Sequence, residues 1–223
     1  MCGRFSLGVN LDALVEAFPD FTFPAEMTPR YNIAPTQDVA VVPNTGERTV
    51  RMFRWGLIPP WAKDPEIGNR LINARAETLA EKPSFRAAYV RRRCLILADG
   101  FYEWQSLPGS KAKIPVYVRL ASKKPFAFAG LWELWRPDDT PVFSCTIITT
   151  EPNALLAPIH DRMPVILPPD AYATWLDPAE QEPAVLNALL KPYPADLMIA
   201  YPVSRFVNDP ANDSPACIVA SGE

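Results

Sequence analysis

The chain has 223 residues, 48% of them hydrophobic, with 26 prolines against 9 glycines and a formal net charge of −3. That much apolar material argues against intrinsic disorder, and the proline load favours a β-rich or α+β domain over a helical bundle, because proline interrupts helix interiors and central strands alike. The length fits one large domain or two small ones; the expectation is a single domain over residues 1–223 of class α+β, with a bent or barrel-like, mostly antiparallel sheet and short peripheral helices.

In chain order, Leu11 to Phe18 predicts a first helix with Asn10 as its N-cap. The segment PRYNIAPTQ follows, held extended by its prolines. DVAVVP and RTVRMFRW read as strands, the second alternating in part with Val50, Met52 and Arg54 on one side. GLIPPWAKDPEIGN is a loop, since Pro59, Pro60 and Pro65 break any regular element. A short helix is expected over Ser84 to Tyr89. The run Arg91-Arg92-Arg93, between that helix and a strand, reads as a solvated cap. CLILADGFYEW, IPVYVRL, FAFAGLWEL and PVFSCTIITT are the most strand-like stretches and are spaced as an antiparallel meander. Asn153 to Ile159 predicts a short helix, MPVIL a strand, and Ala171 to Trp175 and Ala179 to Leu190 two more helices. MIAYPVS and ACIVA are expected to close the sheet.

The four cysteines, Cys2, Cys94, Cys145 and Cys217, show no metal-knuckle spacing, and His160 is the sole histidine, so neither a metal nor a cofactor is expected. Cys94, Cys145 and Cys217 sit in apolar runs and read as buried. No apolar run approaches the ~20 residues that span a bilayer, and no signal-like segment precedes Cys2. The expectation is therefore a cytoplasmic protein (nucleoid-associated if bacterial) with reduced thiols, no membrane partner, and a monomeric state. The net charge hides an asymmetry. Residues 1–130 carry 18 Lys/Arg against 12 Asp/Glu, a surplus of +6, and residues 131–223 carry 4 against 13, a balance of −9. A polyanion partner is permitted by this and not demonstrated.

The richest feature is the start, Met-Cys-Gly-Arg-Phe. A small second residue favours removal of Met1, which turns Cys2 into a 1,2-aminothiol. With an α-amine near pKa 7.7–8.0 and a thiol near about 8.5, neutral amine is present at pH 7. The amine can attack an aldehyde and the thiol close a thiazolidine ring; alternatively the thiol can attack an acyl carbon with the amine as base. Gly3 lets a ligand come close to the backbone.

Beyond position 2 the sequence resembles the SRAP family, the SOS response-associated peptidases or abasic-site processing proteins. The matching blocks are MCGRF (1–5), RYNIAP (30–35), WGLIPPW (55–61), INARAET (72–78), ADGFYEW (98–104), FAFAGLWE (126–133) and IHDRMPVIL (159–167), in the family's order and over most of the chain. The resemblance weakens after about Thr174. It implies a DNA-damage (SOS) protein whose amino-terminal cysteine forms a covalent thiazolidine with abasic sites in single-stranded DNA, a lyase-like chemistry. It also implies a peptidase activity, a hydrolase function, that removes residues ahead of the cysteine.

The same resemblance implies roles for particular side chains. Asn73, Glu103 and His160 would join Cys2 as the catalytic group. An amide at 73 can also hold a turn, an acid at 103 can face solvent from a strand, and a lone histidine can be structural. Arg4, Arg75 and Arg162 would hold DNA phosphates, since guanidinium forks match phosphate oxygens, although each alone could be a salt-bridge partner. Pro35 and Trp61 would form a wedge stacking on bases, with Trp61 alternatively a packed loop aromatic. Trp55 and Trp104 read as core. Two rivals remain: a class II glutamine amidotransferase-like amino-terminal-nucleophile hydrolase, which lacks its Arg-Gly-Pro-Asp block here, and a non-covalent single-stranded-DNA module with an inert Cys2.

Overall fold

The computed structural model describes residues 2–107, 109, 112–138 and 140–221. The early elements are β1 (Phe5–Leu7), α1 (Leu11–Ala17), β2 (Arg30–Ile33), β3 (Asp38–Pro43), β4 (Arg51–Trp55), β5 (Asn73–Arg75) and α2 (Arg86–Arg91). The central strands are β6 (Arg93–Ala98), β7 (Gly100–Ser106), β8 (Lys113–Leu120), β9 (Phe126–Trp135) and β10 (Val142–Thr150). The short strands β11 (Met163–Pro164) and β12 (Ile166–Leu167), helices α3 (Tyr172–Leu176) and α4 (Pro183–Leu189), and strand β13 (Met198–Pro202) complete the chain.

These strands sort into two sheets, the α+β arrangement expected. One runs β13-β8-β7-β1-β2, antiparallel throughout. In the other, β10, β4, β3, β6 and β9 pair in turn and β9 returns to β10, so the sheet closes into a five-stranded barrel with no free edge on that ring. The sheets meet through Phe5 of β1, whose ring packs edge-on against Trp55 of β4 at 5.0 Å and Phe128 of β9 at 5.7 Å.

Several sequence expectations hold. Asn10 caps α1, accepting from the Ala13 amide at 3.0 Å. Cys94, Cys145 and Cys217 are buried. Others need correction, each for a physical reason. CLILADGFYEW is not one strand of a meander: β6 belongs to the barrel and β7 to the other sheet, and the β7–β8 hairpin is inserted between the paired strands β6 and β9. The break falls at Asp99, a buried carboxylate that accepts from the Ser6 hydroxyl at 2.6 Å and the Gly8 and Val9 amides at 2.7 and 3.0 Å. Gly100 follows because a Cβ there would stand 2.1 Å from the Tyr117 hydroxyl. In β4 it is Phe53 and Trp55 that face inward while Met52 is 52% exposed, and Val50 is buried ahead of the strand. Asn153 to Ile159 forms consecutive turns, not a helix, and α4 begins at Pro183, the residue that fixes its first turn. ACIVA is not a strand: a 3-10 turn covers residues 215–218, and the segment meets the end of β13 through a bridge from Ala220 to Val203, the Tyr201 hydroxyl donating to Ile218 O at 3.0 Å and the Ser221 amide donating to Pro202 O at 2.9 Å.

The arginine run is the largest departure. Arg93 is fully buried, and all five of its N–H groups are used. Nε donates to Trp175 O (2.9 Å), Nη1 to Tyr89 and Val90 O (3.2 and 2.7 Å), and Nη2 to Asp177 and Glu180 O (2.6 and 2.7 Å). One guanidinium thus terminates α2 and α3 together and ties the loop after α3 to the barrel. Arg92 beside it pairs with the buried Glu133 at 2.7 Å. Arg93→Lys keeps the charge and loses the fork, leaving carbonyls dry and unpaired. Urea denaturation should show a loss of about 2–4 kcal/mol; an unchanged midpoint would refute the structural role given to Arg93.

Candidate active site

The amino-terminal strand carries Cys2 into the seam between the sheets. β1 pairs with β7 through Phe5–Phe101 and Ser6–Gly100, and the Tyr102 amide donates to Arg4 O at 2.9 Å. Continued backward, that register sets Gly3 level with Glu103. Cys2 is wholly buried and its thiol points to Arg4 O at 3.8 Å. Met1, whose removal the sequence reading requires, lies outside the described residues.

The barrel supplies the opposite wall. Strand β10 pairs in parallel first with β4 and then, further along, with β5. The intervening loop is an excursion cinched at its base, where the Leu57 amide donates to Leu71 O. Gly56, at φ +117°, passes so near Gly68 that a Cβ would lie 2.6 Å from its carbonyl oxygen. The loop therefore delivers Asn73 to a fixed place at the start of β5. Its amide Nδ2 donates to Cys2 O at 2.8 Å, and its Oδ1 is buried with no hydrogen-bond partner among the described residues.

Glu103 sits on β7, 2% exposed, and burial pushes its carboxyl up to about 7, with the nearby Asp161 charge adding to the rise. His160, on the turn between β10 and β11, places Nε2 3.9 Å from Glu103 Oε2. Burial lowers the imidazole pKa, which favours the neutral ring. In that form the Arg162 amide donates to Nδ1 at 3.1 Å, which leaves the proton on Nε2, facing Glu103. Asp161 Oδ1 also stands 2.8 Å from Nδ1, a contact that is favourable only once that nitrogen is protonated. Burial, and after it the Glu103 charge, push the Cys2 thiol pKa up, so the sulfur is held as a thiol, not a thiolate. The structure thus brings Cys2, Asn73, Glu103 and His160 to one seam.

The three arginines stand differently. Arg75 is exposed at the end of β5 and forms no ion pair among the described residues. Arg162 forms a two-pronged pair with Glu77, at 2.7 and 3.0 Å, and donates to Thr149 O at 2.6 Å. Arg4 is turned inward: Nη1 donates to Asn32 Oδ1 (2.7 Å) and Val207 O (3.0 Å), with the Trp104 ring 5.8 Å from the guanidinium. Trp55 is buried as expected, whereas Trp104 is only half-buried. Pro35 and Trp61 occupy neighbouring loops at the end of β4. Thr36 after Pro35 donates to Trp55 O at 2.8 Å with φ at +73°, a strained value for a β-branched residue, and Trp61 is 58% exposed. Sequence reasoning did not single out Asn32, whose amide donates to Val207, Asp209 and Asn212 carbonyls, or Asp213, which accepts from Arg30 and the Tyr31 and Asn32 amides. These two lock the carboxy-terminal segment behind Arg4; Asn32 lies inside the RYNIAP block, where the sequence signals only an extended backbone.

The model of the family described as SOS response associated peptidase (SRAP) matches residues 1–210. The chain belongs to the SRAP family. It is 51% identical over 222 residues to the abasic site processing protein YoqW of Bacillus subtilis, covering 98% of this chain and 99% of that one. It is 30% identical over 262 residues to the abasic site processing protein HMCES of Gallus gallus, covering 98% and 77% respectively. A crystal structure of a Bacteroides thetaiotaomicron protein superposes with a TM-score of 0.88 at 28% identity, over 99% of this chain and 100% of that one. The SRAP fold is therefore shared well beyond close sequence relatives.

The Glu103 environment makes a pH prediction for this SRAP chain. Its folded-state pKa lies above the ordinary 4.5, so the folded chain holds the proton more tightly than the unfolded one. The stability this group contributes is complete below about 4.5 and is lost as pH rises to about 7. Melting temperatures of wild type and Glu103→Gln should therefore diverge across that window, with the wild type losing ground as pH rises. Parallel curves would show that Glu103 ionises as an ordinary surface acid.

Proposed function

We propose that the chain processes abasic sites in DNA, and that Cys2, freed of Met1, captures the lesion covalently in single-stranded DNA. The observation that carries this reading is the Asn73–Cys2 hydrogen bond, which fixes residue 2 beside the buried Glu103 and the half-buried His160. The printed names of the relatives, abasic site processing proteins, support the substrate class.

The proposed steps follow from the protonation states. The Cys2 α-amine attacks the aldehyde carbon of the ring-opened deoxyribose, and water leaves to give a Schiff base. The Cys2 sulfur then adds to the same carbon while its proton passes to the nitrogen, closing the thiazolidine. Amine goes first because the thiol is held neutral. Glu103, poised near pH 7, accepts a proton from the amine and returns it to the departing oxygen. His160 offers its Nε2–H to the sugar ring oxygen as the aldehyde opens. The vacant Asn73 Oδ1 accepts from the amine. Arg75 and Arg162 hold flanking phosphates, Arg4 stiffens the strand behind Cys2, and Pro35 with Trp61 stacks against unpaired bases. Removal of residues ahead of Cys2 by the same group is part of the proposal, as the family's peptidase name suggests.

Incubation with a single-stranded oligonucleotide bearing one abasic site should give a band that survives boiling in detergent. Cys2→Ala should abolish it, and an uncleaved amino-terminal tag should suppress it although the thiol remains. Absence of the band, or its persistence without a free α-amine, would overturn the covalent reading; ammonia release from glutamine would favour the amidotransferase-like one. Arg75→Ala should weaken binding to all single strands alike and reduce the log–log salt slope by about 0.7, one phosphate's share. A loss confined to particular sequences would contradict a phosphate role.

A further inference from the structure

Arg162 is the one proposed phosphate ligand whose fork already holds an anion. Glu77 grips it with both oxygens, in the planar two-pronged geometry a phosphodiester would use. The two partners differ in exposure. The Arg162 side chain is 13% exposed and further anchored to Thr149 O, whereas the Glu77 side chain is 53% exposed. The arginine is thus held by the fold, and the carboxylate rests on it from the solvent side. Glu77 also lies two residues after Arg75, whose charge helps hold the Glu77 carboxyl below its ordinary range, behind the larger effect of the Arg162 hydrogen bonds. The backbone explains the juxtaposition. Arg75 pairs with Thr149 on β10, Thr149 pairs with Pro164 on β11, and Arg162 immediately precedes that strand. Two cations therefore stand at one end of a row of three strands, and the anion, Glu77, lies in the turn just past β5.

We propose that Glu77 is an internal stand-in for a DNA phosphate on Arg162, a competitor the strand must displace, which keeps non-covalent affinity for undamaged DNA low. The inference rests on the phosphate roles proposed for Arg75 and Arg162. Displacement is chemically cheap on the Glu77 side because that carboxylate is already half in water and rehydrates as it swings away. Arg162 exchanges one bidentate anion for another and is never left unpaired. The charge summed over Arg75, Arg162 and Glu77 rises from +1 with Glu77 in place to +2 without it. Weak holding of intact strands suits a protein whose lasting attachment is meant to come from the lesion itself.

The test uses the full chain and an undamaged single-stranded oligonucleotide, so that Cys2 chemistry does not enter. Glu77→Gln should tighten binding by about two- to fivefold, the scale of a partly exposed ion pair, and should steepen the log–log salt slope by about 0.7. Arg162→Ala should weaken wild-type binding, and the gain from Glu77→Gln should vanish in that background; Arg162→Gln serves if the smaller side chain lowers the melting temperature. Unchanged or weaker binding by Glu77→Gln would show that Glu77 holds Arg162 in its working pose, and a gain surviving loss of Arg162 would show general charge repulsion; either overturns the competitor. Indifference of wild-type affinity to Arg162 would instead remove the phosphate role beneath it.

Discussion

A single hydrogen bond, 2.8 Å from the Asn73 amide to the Cys2 carbonyl, joins the chain's beginning to the barrel, and the site depends on it. Chain termini ordinarily fray, and fixing one residue costs roughly 1–2 kcal/mol of backbone entropy. Here that cost is offset by strand pairing at Arg4, Phe5 and Ser6 and by the Asn73 contact ahead of them. A nucleophile held this way meets its electrophile as a neighbouring group, the circumstance in which effective concentrations far exceed anything achievable in solution. Without the contact, the same cysteine on a loose end would be an ordinary thiol.

The polar interior divides by how completely each group is satisfied. Arg93 has every donor filled, Asp99 accepts three hydrogen bonds, and Asn32 spends its amide on three carbonyls; these groups set geometry. Beside Cys2 the pattern changes. Asn73 keeps an open acceptor among the described residues, Glu103 holds its proton near neutrality, and His160 Nδ1 stands beside both the Arg162 amide and the Asp161 carboxylate. Incomplete satisfaction is not sufficient for reactivity, since the Thr146 hydroxyl in the barrel is equally unpartnered with no titrating group assigned to it. The reactive corner is distinguished by open valences and shifted acids in one place.

Local signals carried the parts of this fold that are local. Asn10 and the apolar spacing after it fix α1, and DVAVVP is β3 to the residue. What the sequence could not display was partnership across distance. Nothing in CLILADGFYEW says that a buried acid at Asp99 sends its halves to different sheets. Arg93 looks like its two neighbours until Trp175, Asp177 and Glu180, more than eighty positions later, are seen to be its acceptors. ACIVA has a strand's composition, yet it docks as a turn, with Cys217 packed among Tyr102, Tyr117, Val203 and Val207 and Ile218 O accepting from the Tyr201 hydroxyl. For the site, the family blocks named Cys2, Asn73, Glu103 and His160, and the fold brings these four together. They also named Arg4 and Arg162 without showing that one faces inward and the other already holds Glu77, because both facts depend on side chains 28 and 85 positions away.

Intact-mass spectrometry of the purified chain, alone and after exposure to an oligonucleotide with one abasic site, tests covalent capture by Cys2. The account predicts a mature polypeptide beginning at Cys2 and a single adduct heavier by the oligonucleotide less one water. A mature chain still carrying Met1, or a mass unaltered by the lesion, would contradict it.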